Sequence, residues 1–197
     1  MILWISGPYG VGKTTLATAL AGKLPGAVVA DLEPIGRAIR ETLRGHPCAW
    51  QDHQSCPPWD ATVVVFLAGL HAYIGGPVII PMTVVDQDLL AALLTVLSES
   101  ADVHHLVLHA DPMVLKERII SARTPGESSI DGAKRRADRL RHLDSGCCAA
   151  GDGLHAGGHV IDTSMLTHKQ VLTSALAYLA GRKATTCTAC GDGQVPR

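Results

Sequence analysis

The 197-residue chain is long enough for one domain with a substantial core. Apolar residues make up 47% but aromatic ones only 4%, so aliphatic side chains and alanine must fill that core. A formal net charge of -1 gives no overall pull toward nucleic acid, residues 63–70 are too short an apolar run to span a bilayer, and six cysteines in a chain this long do not form a disulfide framework. With no basic leader before the first apolar run, no signal peptide is expected, and a cytoplasmic enzyme is the default.

Residues 2–6 are apolar and β-leaning, and residues 13–24 form a good helical run. Between them lies Gly7-Pro8-Tyr9-Gly10-Val11-Gly12-Lys13-Thr14, a full match to the phosphate-binding loop G-x-x-x-x-G-K-[ST] in the strand–helix context the pattern requires. Gly7, Gly10 and Gly12 let backbone N–H groups turn inward around a phosphate chain, and the helix N-terminus adds partial positive charge. Lys13 is expected to reach the β- and γ-phosphates of ATP and Thr14 to offer its hydroxyl to Mg²⁺, with Thr15 completing the cofactor-binding segment.

A short strand at 27–30 ends at Asp31, followed by a helix over 34–44. A carboxylate at a strand end faces the cleft of a parallel sheet, where it can take the proton of an attacking hydroxyl. Asp31 is therefore a catalytic and acceptor-binding candidate, Glu33 a nearby competitor, and a helix cap the plainer alternative. Arg37 and Arg40, three apart on the helix, are candidates to grip an anionic or sugar group; solvated surface arginines are the alternative.

Residues 45–58 read as a functional-length loop and 59–73 as a helix, despite the β-branched run at 63–65. A buried strand is expected at 77–81, a helix at 87–97 and a strand at 104–109. His104 and His105 then point to opposite faces, so they are not both expected inside. Asp111-Pro112 opens a helix to Arg123 as a cap and first-turn pair, which leaves no clean acidic strand end of the motor-ATPase kind. That absence favours a small-molecule kinase.

No Lys or Arg occurs from Gly45 through Leu115, whereas eight fall within residues 116–141. The uncharged stretch suits an uncharged acceptor pocket; for 61–97 burial in the core is the plainer reading. The basic cluster lies on helices flanking a loop at 124–129, with the returning helix at 130–143. Arg118 and Arg123 are the catalytic candidates, closing over the transferring phosphoryl group, and Arg135, Arg136 and Arg139 are placed to do the same. A solvated, charge-rich helix is the alternative. Residues 145–158 read as a loop, 160–162 as the last strand, 168–180 as the last helix and 184–197 as a loose tail. Cys147, Cys148, Cys187 and Cys190 lack the spacing of a zinc ribbon.

Strand–helix alternation implies a parallel sheet covered on both faces, with ligands at the carboxyl ends of its strands. The phosphate loop, Asp31, Met82-Thr83 and Thr163-Ser164 all emerge at that edge.

Four segments together resemble the bacterial tunicamycin-resistance proteins: Ile2-Leu3-Trp4-Ile5-Ser6-Gly7, Asp52-His53-Gln54-Ser55-Cys56-Pro57-Pro58-Trp59, Ile80-Pro81-Met82-Thr83-Val84-Val85 and Val103-His104-His105-Leu106-Val107-Leu108. The resemblance runs from residue 1 to about 180; the phosphate loop is common to many families, while the second and third segments are more selective. It implies a three-layer α/β/α fold of the P-loop kinase type with a five-stranded parallel sheet, one domain over 1–183, and a helical lid at about 118–145. It implies ATP and Mg²⁺ binding and protection against a nucleoside antibiotic, by phosphorylation or by sequestration. A metabolite kinase for a nucleoside or sugar acid is a further alternative. By the same resemblance Gln54 and Trp59, with Met82 and Thr83, line the acceptor side, and Thr163-Ser164 approaches the adenine. The expected partner is a nucleoside-like small molecule, not nucleic acid, on a monomer or homodimer. A lipidated drug leaves room for weak peripheral membrane contact through the last helix, although its Val171, Leu172, Leu176 and Leu179 are more simply a stripe on the sheet.

Overall fold

The computed structural model describes residues 1–49, 56–122, 128–143 and 157–188, the last six without side chains. Gln54, Arg123, Cys147, Cys148 and Cys190, named above, lie outside them, as does the side chain of Cys187.

Five strands form one sheet: β1 (Ile2–Ser6), β2 (Val28–Val29), β3 (Val78–Ile80), β4 (Val103–His109) and β5 (His159–Asp162). Their order is β2-β3-β1-β4-β5 and every pairing is parallel, as expected from strand–helix alternation. β1 is central, with Leu3 opposite Ile79 on one side and His104 on the other. All five of its residues are buried. A strand covered on both faces has no polar side to alternate with, so Ile2–Ile5 reads as a continuous apolar run.

Seven helices are described: α1 (Lys13–Ala21), α2 (Glu33–Thr42), α3 (Pro57–Ile74), α4 (Gln87–Ser98), α5 (Pro112–Ser121), α6 (Ser129–Arg141) and α7 (His168–Thr188). On one face of the sheet Trp59, Val63 and Leu67 of α3 and Leu90, Leu93 and Leu97 of α4 pack on Ile2, Trp4, Val78 and Ile80. On the other, Leu16 and Leu20 of α1 and Val171, Ala175 and Leu179 of α7 pack on Leu3, Ile5 and Leu106. Sheet packing is thus the role of the α7 apolar stripe. Among the described residues no helix is long and apolar enough to cross a membrane.

Two expectations change. His104 and His105 are both buried, because the sheet buries both faces of β4. His104 bonds Asp102 at 2.8 Å, and His105 bonds Ser6 Oγ at 2.9 Å. The last helix continues to Thr188, eight residues past its predicted end and into the segment read as tail; no proline interrupts Gly181–Thr188. In the cation-free stretch at 61–97 most large apolar side chains pack in the core, as the plainer reading has it, while Val65, Phe66, Tyr73, Val85 and Val96 are exposed. In α3 the β-branched run at 63–65 does not break the helix, since Val63 packs on the sheet and tertiary burial outweighs its propensity.

Candidate active site

The turn from β1 into α1 uses three left-handed glycines, Gly7 (φ 138°), Gly10 (φ 81°) and Gly12 (φ 104°). Gly7 also passes against β4, where a Cβ would stand 2.3 Å from the Leu108 carbonyl oxygen, so no other residue fits there. Gly12 is the N-cap of α1 and caps it with no side chain. The first-turn amides of α1 therefore have no side-chain acceptor from the cap, the arrangement that receives an anion.

Lys13 folds back over this turn. Its Nζ donates to the carbonyl oxygens of Gly7 at 2.6 Å and Pro8 at 3.0 Å. Burial, aided by the Arg139 guanidinium and opposed by Glu33, pushes the Lys13 ammonium down to about 8. Glu33 therefore acts here as a nearby counter-charge to Lys13. Thr14 and Thr15 are exposed just beyond. Thr83 Oγ1 also donates to the Gly7 carbonyl, and Trp4 Nε1 donates to the Met82 carbonyl at 2.8 Å, so the segment after β3 is tied both to the loop and to β1. Met82 is buried and Thr83 half-buried.

Tyr9, at the tip of the turn, meets the basic helix α6. Its ring centroid lies 5.6 Å from Lys13 Nζ, 6.0 Å from Arg139 Cζ and 6.5 Å from the His142 ring. Arg139 thus joins the phosphate loop through an aromatic ring. The available signal was spacing: Arg135, Arg139 and His142 follow at four and three residues, one face of a helix.

A cleft of about 60 Å³ opens on the other side of the loop, between Gly10, Gly12, Thr15, Arg118, Thr163 and His168. Arg118 does not reach over the loop as a closing arginine; it donates to Thr163 Oγ1 at 3.0 Å and to the Thr163 carbonyl at 2.7 Å, which fixes it as a wall of this cleft. Thr163 is buried there, and its N–H donates to the His109 carbonyl at 2.7 Å. Ser164 faces away from the cleft: its hydroxyl donates to Asp162 Oδ1 at 2.6 Å and accepts the Asp111 N–H at 2.9 Å. Those Ser164 bonds, with smaller effects of His109 and Arg118, hold the Asp162 carboxyl below its usual range.

Where the acceptor is expected, Asp31 is exposed, and its Oδ1 accepts the Glu33 N–H at 3.0 Å, so it does part of a capping task at the start of α2. Arg37 and Arg40 are exposed on the same helix. Trp59 does not line an open acceptor surface; it is fully buried in the core with Trp4, Leu32 and Met82, because helical spacing puts it on the same face as Val63 and Leu67. Asp111 caps α5, its Oδ1 accepting the Met113 N–H at 2.8 Å. Among the described residues no three His, Cys, Asp or Glu side chains gather for a metal ion.

The sequence profile of a family described as an AAA domain (AAA_33) matches residues 2–142. The chain belongs to this family of P-loop, kinase-like proteins. Its fold is similar to the solved structure of the Deinococcus radiodurans tunicamycin resistance protein, at 30% identity over 90% of this chain and 94% of that one, with a TM-score of 0.64. A gluconokinase from Sinorhizobium meliloti 1021 (19% identity, 96% and 97% covered, TM-score 0.60) and a shikimate kinase from Bacteroides thetaiotaomicron (14% identity, 91% and 98% covered, TM-score 0.50) share the fold. No curated protein matches the chain. The expected three-layer, parallel-sheet fold and the resemblance to tunicamycin-resistance proteins both stand.

Proposed function

We propose that this protein is an ATP-dependent phosphotransferase acting on a hydroxyl of a nucleoside-like small molecule in the cytoplasm, with tunicamycin as the first candidate acceptor. One observation carries the reading: an uncapped helix N-terminus behind three left-handed glycines, with Lys13 folded over the same turn. An isolated helix start has no need of this arrangement; a polyphosphate does. The likeness to the tunicamycin resistance protein directs the choice of acceptor.

In this reading the amides of Gly10, Gly12 and Lys13 hold the phosphate chain, and Lys13 exchanges the Gly7 and Pro8 carbonyls for phosphate oxygens. The base of the nucleotide enters the cleft walled by Arg118 and Thr163. Mg²⁺, held through Thr14, would neutralise charge on the β- and γ-phosphates. Asp31 keeps one oxygen on the Glu33 amide and accepts the acceptor hydroxyl's proton with the other. The acceptor oxygen bonds to the γ-phosphorus as the bond to the bridging β–γ oxygen breaks, and ADP departs with that electron pair. Arg139 carries positive charge toward the transferring group, a role for which Arg118 is too firmly held. Arg37 and Arg40 flank the acceptor entrance.

The test is the mass of tunicamycin after incubation with protein, ATP and Mg²⁺. Gain of one phosphate with wild type, and loss of that gain with Asp31→Asn at unchanged ATP affinity, is expected. Tight drug binding at unchanged mass would replace transfer by sequestration. ADP release only with a sugar acid or plain nucleoside would make it a metabolite kinase.

A further inference from the structure

Two helix N-termini border the cleft beside the phosphate loop, and they are finished differently. That of α1 has Gly12 as its cap and no side chain to take its amides. That of α7 is closed: Thr167 Oγ1 accepts the Gln170 N–H at 3.4 Å, and Gln170 Oε1 accepts the Thr167 N–H at 2.9 Å. Anionic groups therefore belong at the α1 end, and the α7 end meets an uncharged part of the ligand. The cleft is lined by the aliphatic Leu16, Ala19, Leu166 and Val171 and by two flat groups, Arg118 and His168. Two bonds to Thr163 fix the plane of the Arg118 guanidinium. No described residue makes a hydrogen bond or ion pair with the His168 imidazole, so it is free to lie against a ring.

We propose that this cleft grips a nucleobase by its faces and not by its edge, so that the protein takes purine and pyrimidine nucleoside triphosphates alike. The proposal rests on the phosphotransferase reading above, which puts the base here. Telling one base from another takes a fixed donor or acceptor at the base edge, because adenine and cytosine present an amino group where guanine and uracil present a carbonyl. Among the described residues the cleft supplies no fixed acceptor for that amino group. None of its side chains is a carboxylate or an amide. The Thr163 carbonyl already accepts from Arg118 at 2.7 Å and from the Leu166 N–H at 3.4 Å, and the Thr163 N–H is engaged by the His109 carbonyl. The Thr15 hydroxyl and the His168 imidazole can each donate or accept as the ligand requires. The remaining N–H groups of Arg118 only donate, and every base offers them an acceptor.

Size agrees. At about 60 Å³ the cleft is far smaller than the roughly 300–1,000 Å³ of pockets that enclose a drug-sized ligand, so a base inserted between Arg118 and His168 keeps its outer edge in water. Stacking is indifferent to base identity because every base has a π-face. A site built to hydrogen-bond one group instead rejects an analogue lacking it by about 10⁴-fold or more. Aliphatic side chains, one guanidinium and one imidazole make a site of the first kind.

Calorimetry of the full chain with Mg²⁺ and each of ATP, GTP, CTP, UTP and ribose 5-triphosphate, which lacks a base, tests this. The four nucleotides are expected to bind within about tenfold of one another, purines the tighter for their larger rings, and each about tenfold tighter than ribose 5-triphosphate. His168→Ala is expected to weaken all four by a similar factor, about threefold or more. Its affinity for ribose 5-triphosphate and its thermal midpoint should match wild type, since the side chain is exposed and unbonded. A larger preference for one base would overturn the proposal and leave the phosphotransferase reading standing. So would ribose 5-triphosphate binding as tightly as the nucleotides, or a His168→Ala variant indistinguishable from wild type with all of them. Failure of all five ligands to bind would instead remove the reading on which the proposal rests.

Discussion

The Arg139 guanidinium stands 6.0 Å from the centre of the Tyr9 ring, and Lys13 Nζ stands 5.6 Å from the same centre. Two cations on separate elements, the phosphate loop and α6, thus share one aromatic ring. Each such contact is worth about 0.5–1 kcal/mol at a partly exposed site, enough to bias where α6 rests. Tyr9 has no part in the phosphate-loop pattern beyond filling an unspecified position. Its ring brings the arginine to the loop before any anion arrives. Tyr9→Leu is therefore expected to lower ATP affinity several-fold and to increase amide exchange across residues 129–141, whereas Tyr9→Phe keeps both near wild type. Calorimetry and hydrogen exchange read the two effects. Equal affinity in Tyr9→Leu and wild type would remove the ring from the site.

In the proposed function Lys13 makes nucleotide binding depend on pH. Its ammonium, lowered to about 8 by burial and by Arg139, is largely neutral at pH 9 in the free protein. A phosphate chain favours the charged form, so binding at pH 9 must draw a proton from solution. ATP affinity is expected to fall as pH rises above 8, by no more than tenfold per unit. Calorimetry in two buffers of different ionisation enthalpy should report net proton uptake at pH 9. Lys13→Arg, which stays charged, should show none. For the free protein the sign is opposite: between pH 8 and 10.5 the unfolded chain holds a proton that the folded chain has lost, so Lys13's contribution to stability rises with pH.

The phosphate loop was legible because its constraints are local. Gly7, Gly10 and Gly12 must adopt positive φ, and few other residue types do so cheaply. Strands β1, β3 and β4 were legible because a doubly covered strand needs an unbroken apolar run. The site's other half depends on which helix returns to which loop, information spread over more than a hundred residues of separation. Arg118 and Arg139 are equivalent as sequence, both arginines on amphipathic helices. Packing divides them: Thr163 captures one and Tyr9 receives the other. Trp59 misled for a similar reason, since an aromatic at the end of a polar loop reads equally well as a binding-site wall or as the first core residue of a helix.

His105 shows how a buried polar pair escapes detection from the sequence, and it carries a stability prediction. Burial lowers its imidazole to about 4, and its Nε2 is bonded to Ser6 Oγ at 2.9 Å. Between pH 6.5 and 4 the unfolded chain takes up a proton that the folded one refuses, so stability falls as pH drops through that window, by up to roughly 3 kcal/mol from this residue. His105→Gln can keep the bond to Ser6 without titrating. Urea unfolding at pH 7 and pH 5 should show a smaller loss for that variant than for wild type. Space around this pair is tight: a Cβ at Gly158 would lie 2.6 Å from Val107 Cγ2 and 2.9 Å from His105 Nδ1. Gly158→Ala is thus expected to cost about 1–3 kcal/mol, read by the same unfolding midpoint.

Thr83 ties the segment after β3 to the glycine loop through the Gly7 carbonyl, the same oxygen that accepts from Lys13 at 2.6 Å. In the proposed function Lys13 leaves that carbonyl for a phosphate while the Thr83 hydroxyl remains as its donor, so the loop keeps its shape as the lysine moves. Thr83→Val removes the hydroxyl at nearly constant volume. It is expected to cost about 1 kcal/mol in the free protein, the worth of one neutral hydrogen bond. The loss should be larger with ATP bound, because the Gly7 carbonyl is then short of both donors. Thermal unfolding of wild type and Thr83→Val, each with and without saturating ATP, measures the difference. A nucleotide-induced rise in midpoint that is smaller for the variant supports this division of labour; an equal rise in both would assign Thr83 to folding alone.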